Sequence, residues 1–184
     1  MTTEGRTEID PAIRTYIDQR IAELGPRLPE NRVSMVVFSG ELDRQLSSLV
    51  IATGAAAMGL DVSIFYTFWG LSALRRRTAL KGKNFKEKML AILTPGRLGK
   101  MPISKLNFGG IGRVMLKSAM KEKQVASVDE FFAMAREMGV RFIACTMSMD
   151  IMGISQDELI EGVELGGVAT FLGDAARSRV SLFI

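Results

Sequence analysis

The only thiol in this 184-residue sequence belongs to Cys145, and the sequence contains no histidine. Without histidine, the chain cannot form a Ser-His-Asp triad, a Cys-His pair, or a zinc or haem site that is ligated by histidine. A single cysteine also excludes an internal disulfide and any metal or iron–sulfur site that needs several thiolates. Nucleophilic or redox chemistry of the ordinary kinds therefore points first to Cys145.

The residues next to Cys145 are suited to stabilising a negatively charged sulfur. An apolar run at residues 140–144 predicts a strand that ends at Cys145, and Thr146, Met147 and Ser148 follow. Backbone N–H groups at the start of a helical turn favour an anion, so they would stabilise the nucleophilic thiolate. If that turn is helical, the Ser148 hydroxyl can also donate to the sulfur. The alternative is an inert cysteine that is buried in the core.

Three methionines lie close to Cys145 in the sequence, namely Met147, Met149 and Met152. Their soft sulfur atoms suit Cu(I), but apolar packing around the thiol explains the same residues. We favour packing, and we predict no metal and no cofactor.

Further candidate residues follow the other predicted strands. In open parallel sheets, ligands bind outside the carboxyl ends of the strands. The predicted pocket residues beside Cys145 are Ser39, Gly40, Thr67, Trp69, Thr146, Met147 and Ser148. The pattern is equally consistent with Ser39 as a simple helix cap and with Trp69 as an anchor for the segment that follows it.

Alternating strands and helices position these residues. Strands are predicted at 33–38, 61–66, 140–144, just after 162–165, and at 180–184; helices are predicted at 9–24, 42–58, 128–138, 155–161 and 167–177. Two Ser-x-x-Glu capping boxes, starting at Ser127 and Ser155, mark helix starts. Apolar strands that alternate with helices indicate a parallel sheet covered on both faces. We divide the chain into an N-terminal helix and connector (1–30) and one α/β domain (31–184).

The middle segment, residues 70–126, interrupts this alternation as a helical insertion and is strongly basic. It predicts helices at 85–93 and 111–121, and residues 75–123 contain 14 Lys and Arg but only 2 Glu. Such a surface can steer an acidic protein, a nucleic acid or a phosphate ligand, but it is also typical of a solvated face. Neither 96–101 nor 109–112 has the spacing of a phosphate-binding glycine motif. The few interleaved aromatic residues disfavour nucleic acid, which stays an alternative, and we favour an acidic protein partner.

Composition and hydropathy predict the class of protein. About 47% of the residues are apolar and 24% are charged, as in folded domains. The longest run of low polarity, residues 49–60, is too short to cross a bilayer core of about 30 Å. The first ten residues lack the pattern of a signal peptide. We expect a cytoplasmic protein without a membrane span.

Several motifs resemble the DsrE/DsrF/DsrH-like family. They are Ser39-Gly40-Glu41-Leu42-Asp43, Phe65-Tyr66-Thr67-Phe68-Trp69-Gly70, Asn107-Phe108-Gly109-Gly110, Ala144-Cys145-Thr146-Met147-Ser148-Met149-Asp150-Ile151-Met152-Gly153 and Gly166-Gly167-Val168-Ala169-Thr170-Phe171-Leu172-Gly173. The resemblance covers residues 33–184 and is closest to the longer DsrE-type members, which are assigned as sulfurtransferases or sulfur carriers. It implies a three-layer α/β/α sandwich with a five-stranded parallel sheet, and frequent homo- or hetero-oligomers.

The resemblance also implies a role for Cys145. In the family, a carrier cysteine accepts sulfane sulfur as a persulfide and passes it to the next protein. We therefore predict a sulfur carrier or sulfurtransferase that uses Cys145, forms homo-oligomers and exchanges sulfur with donor and acceptor proteins. The alternative is a non-catalytic oligomeric module that binds a small anion or a nucleotide at the strand ends. The carrier hypothesis depends on a thiol that can be reached from solvent.

Overall fold

Five parallel strands form a sheet in the computed structural model, which describes residues 10–24, 29–80, 82–93, 98 and 101–184. The strands are β1 (Glu30–Val37), β2 (Asp61–Tyr66), β3 (Arg141–Cys145), β4 (Glu164–Gly166) and β5 (Ser178–Phe183). They lie in the order β4-β3-β2-β1-β5, and every neighbouring pair is parallel. The predicted α/β class, with a parallel sheet of about five strands, is therefore confirmed.

Helices cover both faces of this sheet. The α-helices of the described residues are α1 (Pro11–Leu24), α2 (Leu42–Ala57), α3 (Phe85–Leu93), α4 (Ile111–Glu122), α5 (Val128–Glu137), α6 (Thr146–Met152) and α7 (Val168–Ala175). Short 3₁₀ helices span Phe68–Leu74, Phe108–Gly110 and Gln156–Glu158. Helices α2 and α5 pack together on one face of the sheet, whereas α7 packs on the other. The result is the expected three-layer arrangement.

The alternation of side chains along the strands creates two separate apolar clusters. Met35 and Ile64 belong to the larger cluster, on the face covered by α2 and α5. Val36 and Phe65, one residue further along each strand, belong to the smaller cluster beneath α7. Cys145 lies in this smaller cluster. The thiol therefore lies on the opposite side of the sheet from the main core.

Helix α5 begins at the predicted capping box. The Ser127 hydroxyl accepts a hydrogen bond from the Glu130 N–H (3.3 Å), and the Glu130 carboxylate accepts one from the Ser127 N–H (2.6 Å). These bonds, the one from the Ser127 backbone above all, hold the pKa of Glu130 below its usual value. Because the box satisfies helix-end amides from within the sequence, its structure could be predicted locally.

The second capping box forms only one 3₁₀ turn, so the predicted helix over 155–161 is wrong. The turn ends at Glu158, and Leu159 is already extended and forms a β-bridge with Arg75. The Glu158 side chain is fully buried, where it forms ion pairs with Arg75 and Lys83. Burial of these charges requires the chain to turn inward, and this tertiary requirement overrides the local helix signal.

Helix α1 forms where the sequence predicts it, but its apolar stripe is not buried. Ile13, Ile17 and Ile21 are all exposed. Most of the glycine segment at 96–101 lies outside the described residues.

The segment Phe68–Leu74, part of which we assigned to the basic insertion, is a 3₁₀ helix that belongs to the core. Leu71 and Leu74 are fully buried in the larger cluster. At Gly70, an added Cβ would lie 2.1 Å from the Val37 carbonyl oxygen, so only glycine allows this close approach. The segment after β2 is therefore fixed against the end of β1.

Candidate functional site

Cys145 is the last residue of β3 and the residue immediately before α6. In the sheet it lies opposite Gly166 of β4. A Cβ added at Gly166 would approach the Ile143 side chain to 2.9 Å and the Thr170 hydroxyl to 3.0 Å. The absence of a side chain at residue 166 therefore allows α7 to pack closely over the strand that ends in Cys145.

The Cys145 side chain is buried, with 4% of the residue exposed in the single chain. Its cluster contains Val36, Phe65 and Ile143 from the sheet and the half-buried Phe171 from α7. The Phe65 and Phe171 rings lie 5.8 Å apart between centroids. The thiol thus belongs to an apolar cluster, and Phe171 is the residue of α7 that packs against this cluster.

The first residues of α6 do not bind the thiol in the way the sequence suggested. The Cys145 side chain makes no capping hydrogen bond to the amides of α6. The Ser148 hydroxyl is fully buried and is hydrogen-bonded to the Thr67 hydroxyl at 2.8 Å. We had expected that hydroxyl to donate to the sulfur; instead, it links α6 to the end of β2.

Thr146 and Met147 lie at the surface beside Cys145. The Thr146 hydroxyl is 3.5 Å from the Gly166 carbonyl oxygen, at the limit of a hydrogen bond. The Met147 side chain is exposed, whereas Met149 and Met152 are buried in the larger cluster. The three methionines therefore do not share one environment, which agrees with packing for the two buried ones.

The two remaining predicted segments meet at the carboxyl edge of the sheet. A Cβ added at Gly40 would lie 3.0 Å from the Trp69 carbonyl oxygen, so the two segments are in close contact. Ser39 is buried, and its carbonyl oxygen accepts a hydrogen bond from the Gln45 side chain (2.7 Å). The Trp69 side chain is partly exposed. The structure thus brings Gly40 against Trp69, and Thr67 against Ser148.

Residues of the basic insertion form hydrogen bonds with the first residues of α2. The Leu42 N–H donates to the Pro102 carbonyl oxygen at 2.7 Å, and the Asp43 carboxylate accepts hydrogen bonds from the Ser104 N–H and hydroxyl. Burial opposes ionisation of Asp43, but the bonds from Ser104 outweigh it and hold the pKa of Asp43 below its usual value. Ser39 does not cap α2, because Glu41 is its N-cap residue. The hydrogen bond to Pro102 leaves the Leu42 N–H unavailable to an anion at the β1–α2 turn.

A buried ionic cluster that the sequence did not reveal connects the insertion to the segment after α6. The Glu158 carboxylate is bound by the Arg75 guanidinium (2.9 Å), the Lys83 ammonium, the Ala79 N–H and Ser155. Burial raises the pKa of Glu158, but the hydrogen bond from Lys83 and the others outweigh it and lower that pKa to about 2. The capping box was the only sequence signal at Glu158, and nothing in the sequence paired it with Arg75.

Two negative findings apply to the part of the chain that the structure describes. Within it, no group of three or more Cys, Asp or Glu side chains is arranged to hold a metal ion. None of its helices combines the length and the apolarity that crossing a membrane requires.

A cavity of about 600 Å³ lies away from the thiol. It is lined by residues of α2, α4 and α5 and of the connection between the last two, among them Leu42, Met120 and Val128. None of the predicted pocket residues lines it.

A family model described as the DsrE/DsrF/DrsH-like family matches residues 29–183. The chain belongs to this family. The family match covers all five strands of the sheet, and it includes Cys145 and the basic insertion. The resemblance expected from the sequence motifs is therefore confirmed.

Two curated relatives of this DsrE-like chain cover most of its length. The uncharacterized protein YrkE of Bacillus subtilis is 42% identical over 154 residues, which span 83% of this chain and 96% of YrkE. The sulfur carrier protein DsrE2 of Allochromatium vinosum is 29% identical over 170 residues, which span 85% of this chain and all of DsrE2. Among solved structures, the YchN protein of E. coli matches with a TM-score of 0.51 at 14% identity, over 83% of this chain and 98% of YchN. This last similarity supports the fold.

Proposed function

We propose that this DsrE-like protein is a sulfur carrier that holds sulfane sulfur as a persulfide on Cys145. The observation that carries the proposal is that its only thiol ends a strand of the DsrE-like sheet, at the edge where open parallel sheets bind ligands. The similarity to a protein named sulfur carrier DsrE2 over its full length supports the same role. No cofactor is needed for this chemistry.

The proposed reaction is two successive thiol exchanges. After the Cys145 thiol has lost its proton, the thiolate attacks the outer sulfur of a donor persulfide. The donor S–S bond breaks, the donor leaves as a thiolate, and Cys145 becomes a persulfide. An acceptor thiolate then attacks the outer sulfur of that persulfide, and the Cys145 thiolate is released. Each step transfers one sulfane sulfur atom and causes no net oxidation.

The burial of Cys145 means that the exchanges need an opening step. We propose that Phe171 and α7 cover the thiol between transfers and move aside when a donor or acceptor docks. Oxidation of cysteine depends on its exposure. A covered persulfide would therefore be protected from oxidants until a partner is bound.

The pocket residues have supporting roles in this proposal. The Thr67–Ser148 hydrogen bond fixes the start of α6 next to Cys145. Ser39 and Gly40 hold the Trp69 segment in place, and the partly exposed Trp69 side chain is available to a partner. Met147 and Thr146 are the surface residues that a docked partner would meet first.

We assign the docking of acidic donor or acceptor proteins to the surface that α3 and α6 form together. The two helices are in contact, and Gly153, at the end of α6, lies against the Glu87 side chain. Apolar side chains are exposed on both helices: Phe85 on α3 and Ile151 on α6. Lys86 and Lys88 follow Phe85 in sequence. An acidic partner could therefore bind next to Cys145, and its association should weaken with salt.

The proposed homo-oligomer would use the outer face of α7. Val168 and Leu172 are exposed there, and the one charged residue of α7, Asp174, is buried. An uncharged apolar face can be shared by two copies without repulsion between like charges. Sedimentation velocity on the wild type and on Leu172→Asp tests this: a smaller species for the variant supports the contact, and a wild type that is monomeric at all concentrations contradicts it.

Intact-protein mass spectrometry tests the carrier proposal. After incubation with a persulfide donor and removal of excess donor, the wild type should gain about 32 Da, the mass of one sulfur atom, on Cys145. Cys145→Ser is the matched control and should gain nothing. If neither the wild type nor Phe171→Ala, which loosens the packing of α7, gains this mass, the proposal is contradicted. The proposed location is the cytoplasm, where thiols stay reduced.

A further inference from the structure

The turn before α4 and the first half of α4 expose five large apolar side chains within ten residues. They are Leu106, Phe108, Ile111, Val114 and Met115, each 62–71% exposed. Monomeric soluble proteins rarely leave contiguous apolar patches of this kind uncovered without a function. The group is called the α4 patch below.

The fold holds two of these side chains outward at a cost in backbone strain. Leu106 and Phe108 have positive φ angles, of 56° and 37°, which residues with a Cβ seldom adopt. The Gly109-Gly110 turn that follows also has positive φ. Strained residues of this kind cost folding free energy and persist where the surrounding structure or a function requires them. A connection between α3 and α4 does not require Leu106 and Phe108 to be exposed to water.

The glycine motif of this turn explains how the strained geometry is built. The Gly110 N–H donates to the Asn107 carbonyl oxygen at 2.6 Å, which closes the turn. A Cβ at Gly112 would lie 2.1 Å from the Leu106 carbonyl oxygen, so only glycine allows α4 to start this close to the turn. The motif therefore places the side chains of the turn directly beside the first turn of α4.

Helix α4 is amphipathic, and its orientation leaves the apolar ridge outside. Leu116 and Met120 are partly buried, and Leu116 packs against the larger cluster of the core. Ile111, Val114 and Met115 lie on the opposite side of the helix and face outward. The helix is thus attached to the domain by one face and presents the other to a partner.

Positive charges predominate in the stretch of sequence that contains the α4 patch. Residues 105–123 contain five Lys and Arg and one Glu. Lys105 lies next to the turn, and Lys121 and Lys123 lie at the end of the helix; all three are exposed. Two copies of this surface would repel each other, which disfavours a contact between copies of the chain. An apolar ridge with lysines at both ends fits an interface of apolar chains beneath anionic headgroups.

We propose that the α4 patch is a peripheral membrane-docking surface that binds bilayers containing anionic phospholipid. The apolar side chains would insert at the boundary between headgroups and acyl chains, and the lysines would bind lipid phosphates. Binding of this kind adds an apolar and an electrostatic contribution. The proposal does not depend on Cys145 and goes beyond the proposed sulfur carriage.

Vesicle co-sedimentation of the full chain tests this proposal. The probes are vesicles of phosphatidylcholine alone and vesicles that also contain about 30 mol% phosphatidylglycerol. The wild type should sediment with the anionic vesicles at about 0.05 M salt, and much less at about 0.5 M salt or with phosphatidylcholine alone. The double variant Phe108→Ser/Val114→Ser and the variant Lys121→Glu should each lose about tenfold or more in apparent affinity.

Matched controls come from exposed residues elsewhere. Met58, at the other end of α2 from Leu42, is 79% exposed, so Met58→Ser removes an equally exposed apolar side chain. Arg14→Glu reverses one exposed charge on α1. Both controls should bind anionic vesicles as the wild type does, and circular dichroism should show the same folded content for all five proteins.

Three results would overturn the membrane proposal. One is a wild type that does not bind anionic vesicles at low salt. Another is unchanged vesicle binding by Phe108→Ser/Val114→Ser, which would mean simple adsorption of a basic protein. The third is a wild-type oligomer in sedimentation velocity that dissociates in this double variant, which would assign the α4 patch to a contact between copies. If the α4 patch binds an acidic protein instead of a membrane, the wild type should not bind anionic vesicles at low salt.

Discussion

If α7 covers the Cys145 thiol as proposed, Phe171→Ala should make this thiol far more reactive, because Phe171 of α7 packs against the cluster that contains Cys145. Complete removal of a buried Phe side chain costs about 3–5 kcal/mol. Phe171 is only half-buried, so we expect about 2 kcal/mol of lost packing between α7 and the sheet. If the thiol reacts only after α7 lifts, the opening equilibrium shifts by the same amount, and the reaction rate rises about 30-fold.

The assay is the rate at which a chromogenic disulfide reagent modifies the native protein. Since Cys145 is the only cysteine, the whole signal reports on this thiol. Phe131→Ala is the matched control, because Phe131 is also half-buried but packs against the larger cluster, on the other side of the sheet. Its rate should stay near that of the wild type.

Two outcomes would refute this reasoning. Equal acceleration in both variants would mean that the thiol reacts through global unfolding and that α7 is not a local cover. No acceleration in Phe171→Ala would mean that Phe171 does not limit access to Cys145.

Two further predictions concern the groups that hold the site in place. Glu158→Gln should destabilise the fold by about 3–5 kcal/mol, because it leaves the buried Arg75 and Lys83 charges without their carboxylate. Folding lowers the pKa of Glu158 from 4.5 to about 2, so the ionised carboxylate stabilises the fold fully above pH 4.5 and less as the pH falls toward 2. In urea unfolding across this pH range, the free energy of unfolding of Glu158→Gln should therefore depend less on acid than that of the wild type. An equal acid dependence in both proteins would contradict the role assigned to Glu158. Thr67→Val removes the partner of the buried Ser148 hydroxyl and should cost about 1–3 kcal/mol, measured by thermal unfolding; a melting temperature equal to that of the wild type would show that this bond does not fix α6.

The parts of the fold that the sequence could predict are those with local causes. The capping box at Ser127 satisfies its own helix end, and α5 begins where the box predicts. The apolar run before Cys145 forms a strand that delivers this residue to the edge of the sheet. Gly59, with φ of 77°, ends α2 because a left-handed residue there stops the helix.

The parts that failed depend on contacts between distant residues. The box at Ser155 forms one turn because Glu158 pairs with Arg75, which precedes it by more than eighty residues. Cys145 is buried in a small cluster against which Phe171 packs, and the position of Phe171 follows from how α7 returns over the sheet. Side-chain alternation places Cys145 on a face of the sheet, but no sequence pattern states which helix covers that face.

The measurement that tests the central claim most directly is the delivery of sulfur from loaded Cys145. The protein is loaded with heavy-isotope sulfane sulfur, freed of donor and mixed with an excess of an acceptor thiol. Sulfur carriage predicts that one labelled sulfur per chain leaves Cys145 and appears on the acceptor as a persulfide, while Cys145 returns to the thiol. Label that stays on Cys145 in the presence of the acceptor, also in Phe171→Ala, would contradict the account.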